Sequence, residues 1–440
     1  MAGPATNPTE IKSRIGAILR ATSGNFLEQF DFFLFGFYAA AIGKAFFPST
    51  NETASLLNTF GVFWLGALMR PVGAIVLGAY IDRIGRRQGL IVTLGIMAIG
   101  TVVIAFCPSY ATIGIAAPVI VLIGRLLQGF SAGVELGGVS VYLAEIATPG
   151  NRGFYTSFQS SSQQVAIFVA AILGFLLREG IHGDTFLDAF GGIAKWRIPF
   201  FIGCLIIPVI FFLRRSLEET PEFLKMKKHP TASEVFASAI ANWRIVVLGM
   251  MIAVLTTTTF YFITVYAPGF GKQLNLSPTG TLLVTLLVAV TNFFWNPVGG
   301  AVSDRLGRKP VLLTIAILSF VTAYPALSWL AAGSTLGKLL AVQMMFSFYF
   351  GVYSGTMLGC LVEIVPAHVR TTCFSIAFAL AAGIFGTSTP FVATKLIAIT
   401  GGDKASPAFW LMFGAALGII AALTVYRGGR TMETREAVIA

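Results

Sequence analysis

The chain has 440 residues, of which 56% are hydrophobic and only 11% charged, and a mean hydropathy of +0.81. Soluble domains carry about 25% charge, so this composition excludes one and requires a membrane protein. The net charge of +11 does not point to nucleic acid, because the bases cluster in short segments between apolar runs, where the excess of Lys and Arg in cytoplasmic loops accounts for them.

In chain order the apolar runs predict twelve spans, at 20–46, 56–80, 89–107, 114–144, 155–178, 196–213, 244–269, 278–302, 310–331, 337–362, 372–399 and 408–427. Each is near the roughly 20 residues that cross a bilayer as a helix. The alternating ten-residue segments of a membrane β-barrel are not seen, so the expected fold class is an all-α integral membrane protein. Lys12, Arg14 and Arg20 precede a first span too long for the apolar core of a signal peptide, and no small-residue cleavage site follows. Cys107, Cys204, Cys360 and Cys373 stand isolated in apolar surroundings and are read as packing residues; neither a metal nor a cofactor is expected.

Counted from a cytoplasmic N-terminus, the inner segments hold Arg83, Arg86, Arg87, Arg152, Arg214, Arg215, Lys225, Lys227, Lys228, Arg305, Arg308, Lys309, Arg370, Arg427 and Arg430. The outer ones hold scattered bases such as Lys44, Lys272 and Lys338. That asymmetry predicts both termini in the cytoplasm. The long inner connection offers two helix starts, Thr220-Pro221-Glu222 with proline at the first helical position and the capping box Thr231-Ala-Ser-Glu234. It divides the chain into 1–213, a linker at 214–243 with short amphipathic helices, and 244–440.

The two parts echo each other. Gly78-Ala-Tyr-Ile-Asp82-Arg83-Ile-Gly-Arg86-Arg87 after span two recurs as Gly300-Ala-Val-Ser-Asp304-Arg305-Leu-Gly-Arg308-Lys309 after span eight. Glu145, Pro149 and Arg152 after span four recur as Glu363, Pro366 and Arg370 after span ten. Repetition at half the chain length means two copies of one six-span unit. The motifs lie at the cytoplasmic ends of spans, too shallow for a cargo, and are read as a gate in which Asp82 and Asp304 latch bases or helix ends across the cytoplasmic face.

Ionisable groups inside spans cost about 2.5 to 3.5 kcal/mol each, so each is a functional candidate. There are five: Glu28 and Asp31 in span one, Arg70 in span two, and Arg125 and Glu135 in span four. Laid out at about 100° per residue, span one gathers Asn25, Glu28, Gln29 and Asp31 on one face, expected to look inward, and Phe26, Phe30, Phe33 and Phe37 on the other. At about 1.5 Å of rise per residue, Asp31 and Arg70 both lie roughly 15 Å deep and within reach of each other. Glu135 falls nearer the cytoplasm and Arg125 in the middle or outer half, which separates an inner acidic cluster from an upper cation.

Two readings of each arginine stand. Arg70 is a structural partner of Asp31 or Glu28, or it binds cargo; Arg125 is a satisfied structural arginine, or its planar fork takes a carboxylate, with Gln128 one turn on adding a hydrogen bond. Gly129, Gly133 and Gly137 recur every fourth residue, which favours close helix packing. Span five opens with Gln159-Ser-Ser-Ser-Gln163-Gln164, a polar run that must face a cavity or another helix. The C-terminal half offers neutral hydrogen-bonding groups instead of mid-span charge, among them Tyr261, Asn292 and Tyr353.

Six plus six spans, the doubled Gly-x-x-x-Asp-Arg-x-Gly-Arg-Arg/Lys pattern and the charged middle connection resemble the major facilitator superfamily of secondary transporters. Asn-Phe-Leu-Glu-Gln-Phe-Asp-Phe-Phe-Leu-Phe-Gly at 25–36 is similar to its metabolite:proton symporter branch. The segments at 69–74, 124–135, 196–201 and 256–262 resemble the bacterial citrate and tricarballylate proton symporters. The resemblance implies two pseudo-symmetric six-helix bundles and uptake of a tricarboxylate with protons across the bacterial inner membrane, by a chain surrounded by lipid and expected to be a monomer. On that reading the candidate cargo contacts are Arg125, Arg70, Gln128, Asn25, Gln29, Gln163, Tyr261, Asn292 and Tyr353. Asp31, Glu135 and Glu28 are the candidate proton carriers. A dicarboxylate or a zwitterionic osmolyte is an alternative cargo. A membrane sensor or channel is the alternative of another class, disfavoured by the repeat; no nucleophile motif or nucleotide loop points to an enzyme.

Overall fold

The computed structural model describes residues 8–50, 52–179, 185–186, 193–194, 196–224, 234, 237 and 240–426. The predicted capping box from Thr231, together with Lys225, Lys227, Lys228, Arg427 and Arg430, lies outside them. The described chain is built on twelve long helical segments. They are α1 (Pro8–Phe37), α2 (Glu52–Ile84), α3 (Arg86–Phe106), α4 (Ala116–Glu145), α5 (Arg152–Glu179) and α6 (Arg197–Arg215), then α7 (Trp243–Gln273), α8 (Pro278–Leu306), α9 (Arg308–Ala331), α10 (Leu336–Ile364), α11 (Arg370–Ile399) and α12 (Ala408–Val425). A short helix, Ala39–Phe46, prolongs α1, and Pro221–Leu224 forms the first linker helix, opened by its proline as expected. Thr185–Phe186 and Ile193–Ala194 pair antiparallel between α5 and α6.

Over the described residues, ten of these helices are long and apolar enough to cross a membrane by composition. The helices α1 and α5 carry the polar runs around Asn25–Asp31 and Gln159–Gln164. Large apolar side chains such as Leu205, Phe212, Phe294 and Phe391 are more than half exposed around the bundle, as a lipid-facing surface requires.

Packing repeats with a shift of six helices. The contacts α2–α4, α3–α4, α3–α6, α1–α5 and α1–α6 recur as α8–α10, α9–α10, α9–α12, α7–α11 and α7–α12. The contacts joining the two sets, α5–α8 with α2–α11 and α4–α11 with α5–α10, are also symmetric mates. The sequence duplication is thus a duplication of packing. The Gly-x-x-x-Asp-Arg loops make the same turn: Gly85 (φ 109°) and Gly307 (φ 89°) join α2 to α3 and α8 to α9 in a region that disfavours any side chain.

The small residues of α4 work as close-packing positions. A Cβ on Gly129 or Gly133 would run into the backbone oxygen of Gly66 or Arg70 on α2, and one on Gly137 into Ser375 on α11. Both α7 and α11 pass through a π-helical stretch, at Tyr261–Tyr266 and Ala381–Gly386, where the two helices meet and Thr257 donates its hydroxyl hydrogen to the Ala381 carbonyl at 3.3 Å. Such bulges tend to lie at functional positions; here Tyr261 and Ala382 line the central cavity.

Candidate functional site

A cavity lies between the two sets of helices, lined by Glu28 and Gln29 of α1, Arg70 of α2, Ala132, Gly133 and Leu136 of α4, Ser160 and Gln163 of α5, Thr256, Thr257, Phe260 and Tyr261 of α7, Phe350 of α10, and Phe378, Ala379 and Ala382 of α11. A recess adjoins it and shares Glu28, Arg70 and Ala132, adding Arg125, Gln128, Phe32 and Phe63.

Arg125 is the most distinctive group in the recess. Its guanidinium lies over the ring of Phe35 at 3.6 Å from the centroid, with Phe63 at 5.7 Å, and only 5% of the residue is exposed. Nη1 donates to Gln128 Oε1 at 2.8 Å, while Nε and Nη2 have no partner among the described residues. Arg70 makes a long 3.4 Å contact with Glu28 and lies 5.5 Å from the Phe32 ring. Glu28 Oε2, Gln29 Oε1 and Thr256 Oγ1 are buried without partners too. Unmet hydrogen-bonding capacity is rare in protein interiors, and here it converges on one cavity from both sets of helices.

Between Leu27 and Phe35, α1 is buried on both faces, not only the polar one. Phe33 meets Phe260 of α7, in the opposite half, at 6.3 Å, and Phe30 is buried beside Gly203 of α6. The side chain of Phe37 lies outside the described residues.

The charges pair differently from the sequence expectation. Asp31 does not meet Arg70; it accepts hydrogen bonds from Thr101 Oγ1 and from Gln128 Nε2, the latter at 2.6 Å. The predicted separation of Asp31 from Arg125 also fails, since Gln128 bridges them. Counting residues from a span boundary sets neither the rotation nor the tilt of the helices, and these decide that Asp31 and Arg125 share Gln128.

Glu135 is tied to Arg214, which reaches in from the end of α6, and accepts the Thr93 hydroxyl at 2.7 Å. Arg214 is fully buried and also donates to the carbonyls of Leu90 and Ala21. A Cβ on Gly24 would collide with its guanidinium, so α1 is bare at that position to let it pass. Sequence reading left Arg214 among the loop bases, beside Arg215, where nothing in the local pattern separates them. One signal was available: three carboxylates against two arginines leave a buried charge unbalanced, which calls for a third cation. With Arg214 the site holds three of each.

Several predicted cargo contacts serve helix packing instead. Asn25 donates to the Gln159 carbonyl at 2.7 Å and to Ser162 Oγ at 2.8 Å, joining α1 to α5. Asn292 accepts from Ser347 at 2.7 Å and donates to Gln164 at 3.4 Å, joining α8 to α10 and α5. Tyr353 donates to the Ile252 carbonyl at 3.1 Å. None of the three lines the cavity or the recess, because each meets its hydrogen-bonding need at a helix contact. Gln29, Gln163 and Tyr261 do line the cavity.

At the end of the bundle that carries the repeated loops, Asp82 accepts the backbone N–H groups of Thr371 (3.3 Å) and Thr372 (2.9 Å) and the Thr372 hydroxyl (2.7 Å), at the start of α11. Asp304 accepts the N–H groups of Gly153 and Phe154, both at 2.8 Å, at the start of α5. Each carboxylate thus satisfies otherwise open donors of a helix belonging to the other half, where the helix dipole favours negative charge. Gly78 leaves room for this approach, since its Cβ would lie 3.0 Å from Thr372 Cα. Arg86 holds Asp82 at 2.6 Å and Glu145 at 3.3 Å, and Arg370 reaches Glu145 at 3.6 Å. Arg308 holds Asp304 and Glu363, each at 2.7 Å. Arg152 opens α5 beside this layer.

Arg83 and Arg305, which sequence reading grouped with the gate, point outward and are exposed. Arg87 turns aside to the Arg215 carbonyl at 2.7 Å. Glu219 was missed: its carboxylate takes the N–H groups of Arg86 (3.0 Å) and Arg87 (3.1 Å), capping α3 from the linker.

A twelve-helix membrane bundle with two-fold repeated packing, a polar cavity between the repeats and charged latches at one end is a transporter of the major facilitator fold, not an enzyme. The chain belongs to the family described as sugar (and other) transporter, whose profile matches residues 17–242 and 228–435. It is 58% identical over 422 residues to a citrate-proton symporter of Salmonella typhi, covering 96% of each chain. It is 59% identical over 416 residues to a citrate-proton symporter of Klebsiella pneumoniae, covering 94% of this chain and 92% of that one. The alpha-ketoglutarate permease of Escherichia coli K12 is 33% identical over 446 residues, with 97% and 96% covered. Among solved structures, the proton:xylose symporter XylE bound to 6-bromo-6-deoxy-D-glucose superposes with a TM-score of 0.76 at 20% identity, covering 97% of this chain and 99% of that one, which shows the fold.

Proposed function

We propose that the protein is a proton-coupled tricarboxylate symporter of the bacterial inner membrane, importing citrate, with tricarballylate as a second cargo, by alternating access. The observation that carries this reading is Arg125, buried over Phe35 with two N–H groups unspent beside a cavity. A carboxylate is the partner that planar fork fits best. Relatives at 58% and 59% identity that are citrate-proton symporters supply the cargo class.

Charge balance supports the protons. The buried site holds Arg70, Arg125 and Arg214 against Glu28, Asp31 and Glu135, so it offers a trianion no net countercharge. Moving each negative charge into an inside-negative cell costs about 2.3 kcal/mol per 100 mV. Protons taken by Glu28 and Asp31 cancel two of a trianion's three charges, which gives the site a net positive charge for the cargo and lowers the electrical cost of its entry. Glu135, held by Arg214 and Thr93, is the least free of the three to exchange one, which reverses its rank among the predicted carriers. One cargo carboxylate binds Arg125, and another draws Arg70 away from Glu28, whose 3.4 Å contact is looser than the Glu135–Arg214 pair.

The remaining assignments follow from this reading. The Asp82 and Asp304 latches form the cytoplasmic gate, both termini lie in the cytoplasm, residues 1–213 and 244–440 are the two rocking bundles joined by the linker at 214–243, and the working unit is a monomer. Calorimetry of the purified protein against citrate, tricarballylate, 2-oxoglutarate and betaine tests the cargo class. Binding of the two tricarboxylates ahead of the other two supports it, and preference for 2-oxoglutarate or betaine overturns it.

A further inference from the structure

Gln128 is not free to touch cargo. Its Oε1 accepts from Arg125 Nη1 at 2.8 Å, and its Nε2 donates to Asp31 Oδ2 at 2.6 Å and to Thr101 Oγ1 at 3.1 Å. Both amide hydrogens are therefore spent, and the amide dipole points its oxygen at the cation and its nitrogen at the carboxylate. The residue is 4% exposed, and a Cβ on Gly100 of α3 would press on its Cγ at 2.7 Å, so the side chain is confined. One amide thus connects the arginine with unspent donors to a carboxylate with an unspent oxygen, Asp31 Oδ1.

Resting on the proposed symport, we infer that Gln128 and Thr101 are positioning residues that couple cargo binding at Arg125 to protonation of Asp31. A cargo carboxylate seated on Nε and Nη2 turns the guanidinium toward itself and loosens Nη1 from Gln128. The amide then slackens its bond to Asp31, whose carboxylate loses a donor in a dry site, and uptake of a proton becomes the better way to remain there. Linkage makes the effect reciprocal: protonated Asp31 releases Gln128 and so frees Arg125 for cargo. Thr101 suits this exchange because a hydroxyl donates to the carboxylate and accepts from the acid.

The charged and titratable groups around Asp31 are few. Arg125 faces it from α4 and Cys204 from α6, and Glu28, paired to Arg70 of α2, lies one turn back on α1. Glu135 with Arg214 is further toward the loop-motif end. The elements α3 and α5 present hydroxyls and amides to this part of α1. The route from Arg125 to Asp31 through Gln128 is therefore the direct hydrogen-bonded one.

Citrate affinity of the full-length protein, measured by calorimetry from pH 5 to pH 8, tests the inference. With two linked protons, on Glu28 and Asp31, the wild-type affinity falls up to about a hundredfold per pH unit above both linkage points. Gln128→Leu is expected to flatten that slope to about tenfold, the share left to Glu28. Thr101→Val, which removes the other donor to the carboxylate, is expected to hold affinity to a more alkaline pH, with Thr101→Ser restoring the wild-type curve. A wild-type slope in Gln128→Leu, or loss of citrate binding at every pH in a monodisperse Gln128→Leu that melts like the wild type, overturns the coupling role and leaves the symport standing. A wild type that binds citrate with no pH dependence overturns both.

Discussion

The carboxylate of Asp82, at the end of α2, closes on the backbone N–H of Thr372, at the start of α11, at 2.9 Å. Its counterpart Asp304 closes on the N–H of Phe154 at 2.8 Å, so two contacts related by the repeat join the halves at one end of the molecule, the proposed latches. Asp82→Asn keeps the shape but removes the charge that favours the helix terminus and the partner of Arg86. A loss of about 1 to 2 kcal/mol is expected for each latch, a shift of roughly five- to thirtyfold in the balance between closed and open. Spin labels placed across the loop-motif end should report a larger long-distance population for Asp82→Asn and again for Asp304→Asn. Unchanged distances in both variants would remove the latches from the gate.

Arg125→Lys keeps the charge and loses the flat fork over Phe35. Charge-assisted hydrogen bonds contribute about 1.5 to 3 kcal/mol, so citrate affinity is expected to fall by roughly ten- to a hundredfold. Calorimetry reads this directly, and wild-type affinity in Arg125→Lys would make Arg125 a structural cation.

Glu135 and Arg214 are expected to behave as one structural unit. Removing either partner leaves a buried charge uncompensated, at about 3 to 5 kcal/mol, whereas removing both together is far milder. Thermal unfolding should therefore rank Glu135→Leu well below the Glu135→Leu, Arg214→Leu double variant. Gly24→Val should imitate the single losses by displacing the guanidinium from α1. A single variant as stable as the wild type would contradict the pairing.

Asn292→Ala breaks two interhelical hydrogen bonds and Tyr353→Phe one, each worth about 1 kcal/mol, away from the cavity. Both are expected to melt earlier and to bind citrate with wild-type affinity. A lowered affinity without lowered stability would return these residues to the binding site.

The fold was legible in the sequence because its evidence is periodic and repeated. Apolar runs set the number of helices, and the doubled Asp-Arg loops announced a duplication that the packing repeats contact for contact. The contacts of Asp82 and Asp304 with helix ends of the other half were legible as well, since a carboxylate at a shallow span end has few partners other than bases and helix termini. Pairing among buried charges was not legible. Which of Asp31 and Glu28 meets Arg70 depends on the rotation of α1 about its axis, which residue counting from a span boundary does not set. Arg214 was hidden for a different reason: an arginine at a span end looks the same whether it turns out to solvent or inward past a glycine. The polar groups Asn25, Asn292 and Tyr353 looked like site residues because a helix contact and a cavity make the same demand, that a buried donor find an acceptor.

The most direct measurement is citrate uptake into proteoliposomes containing the purified protein, with and without an inward proton gradient at fixed membrane potential. The account expects citrate to accumulate above its outside concentration when the gradient is present and to equilibrate without accumulation when the gradient is collapsed. Uptake that ignores the gradient, or no uptake of citrate under either condition, would contradict proton-coupled tricarboxylate symport.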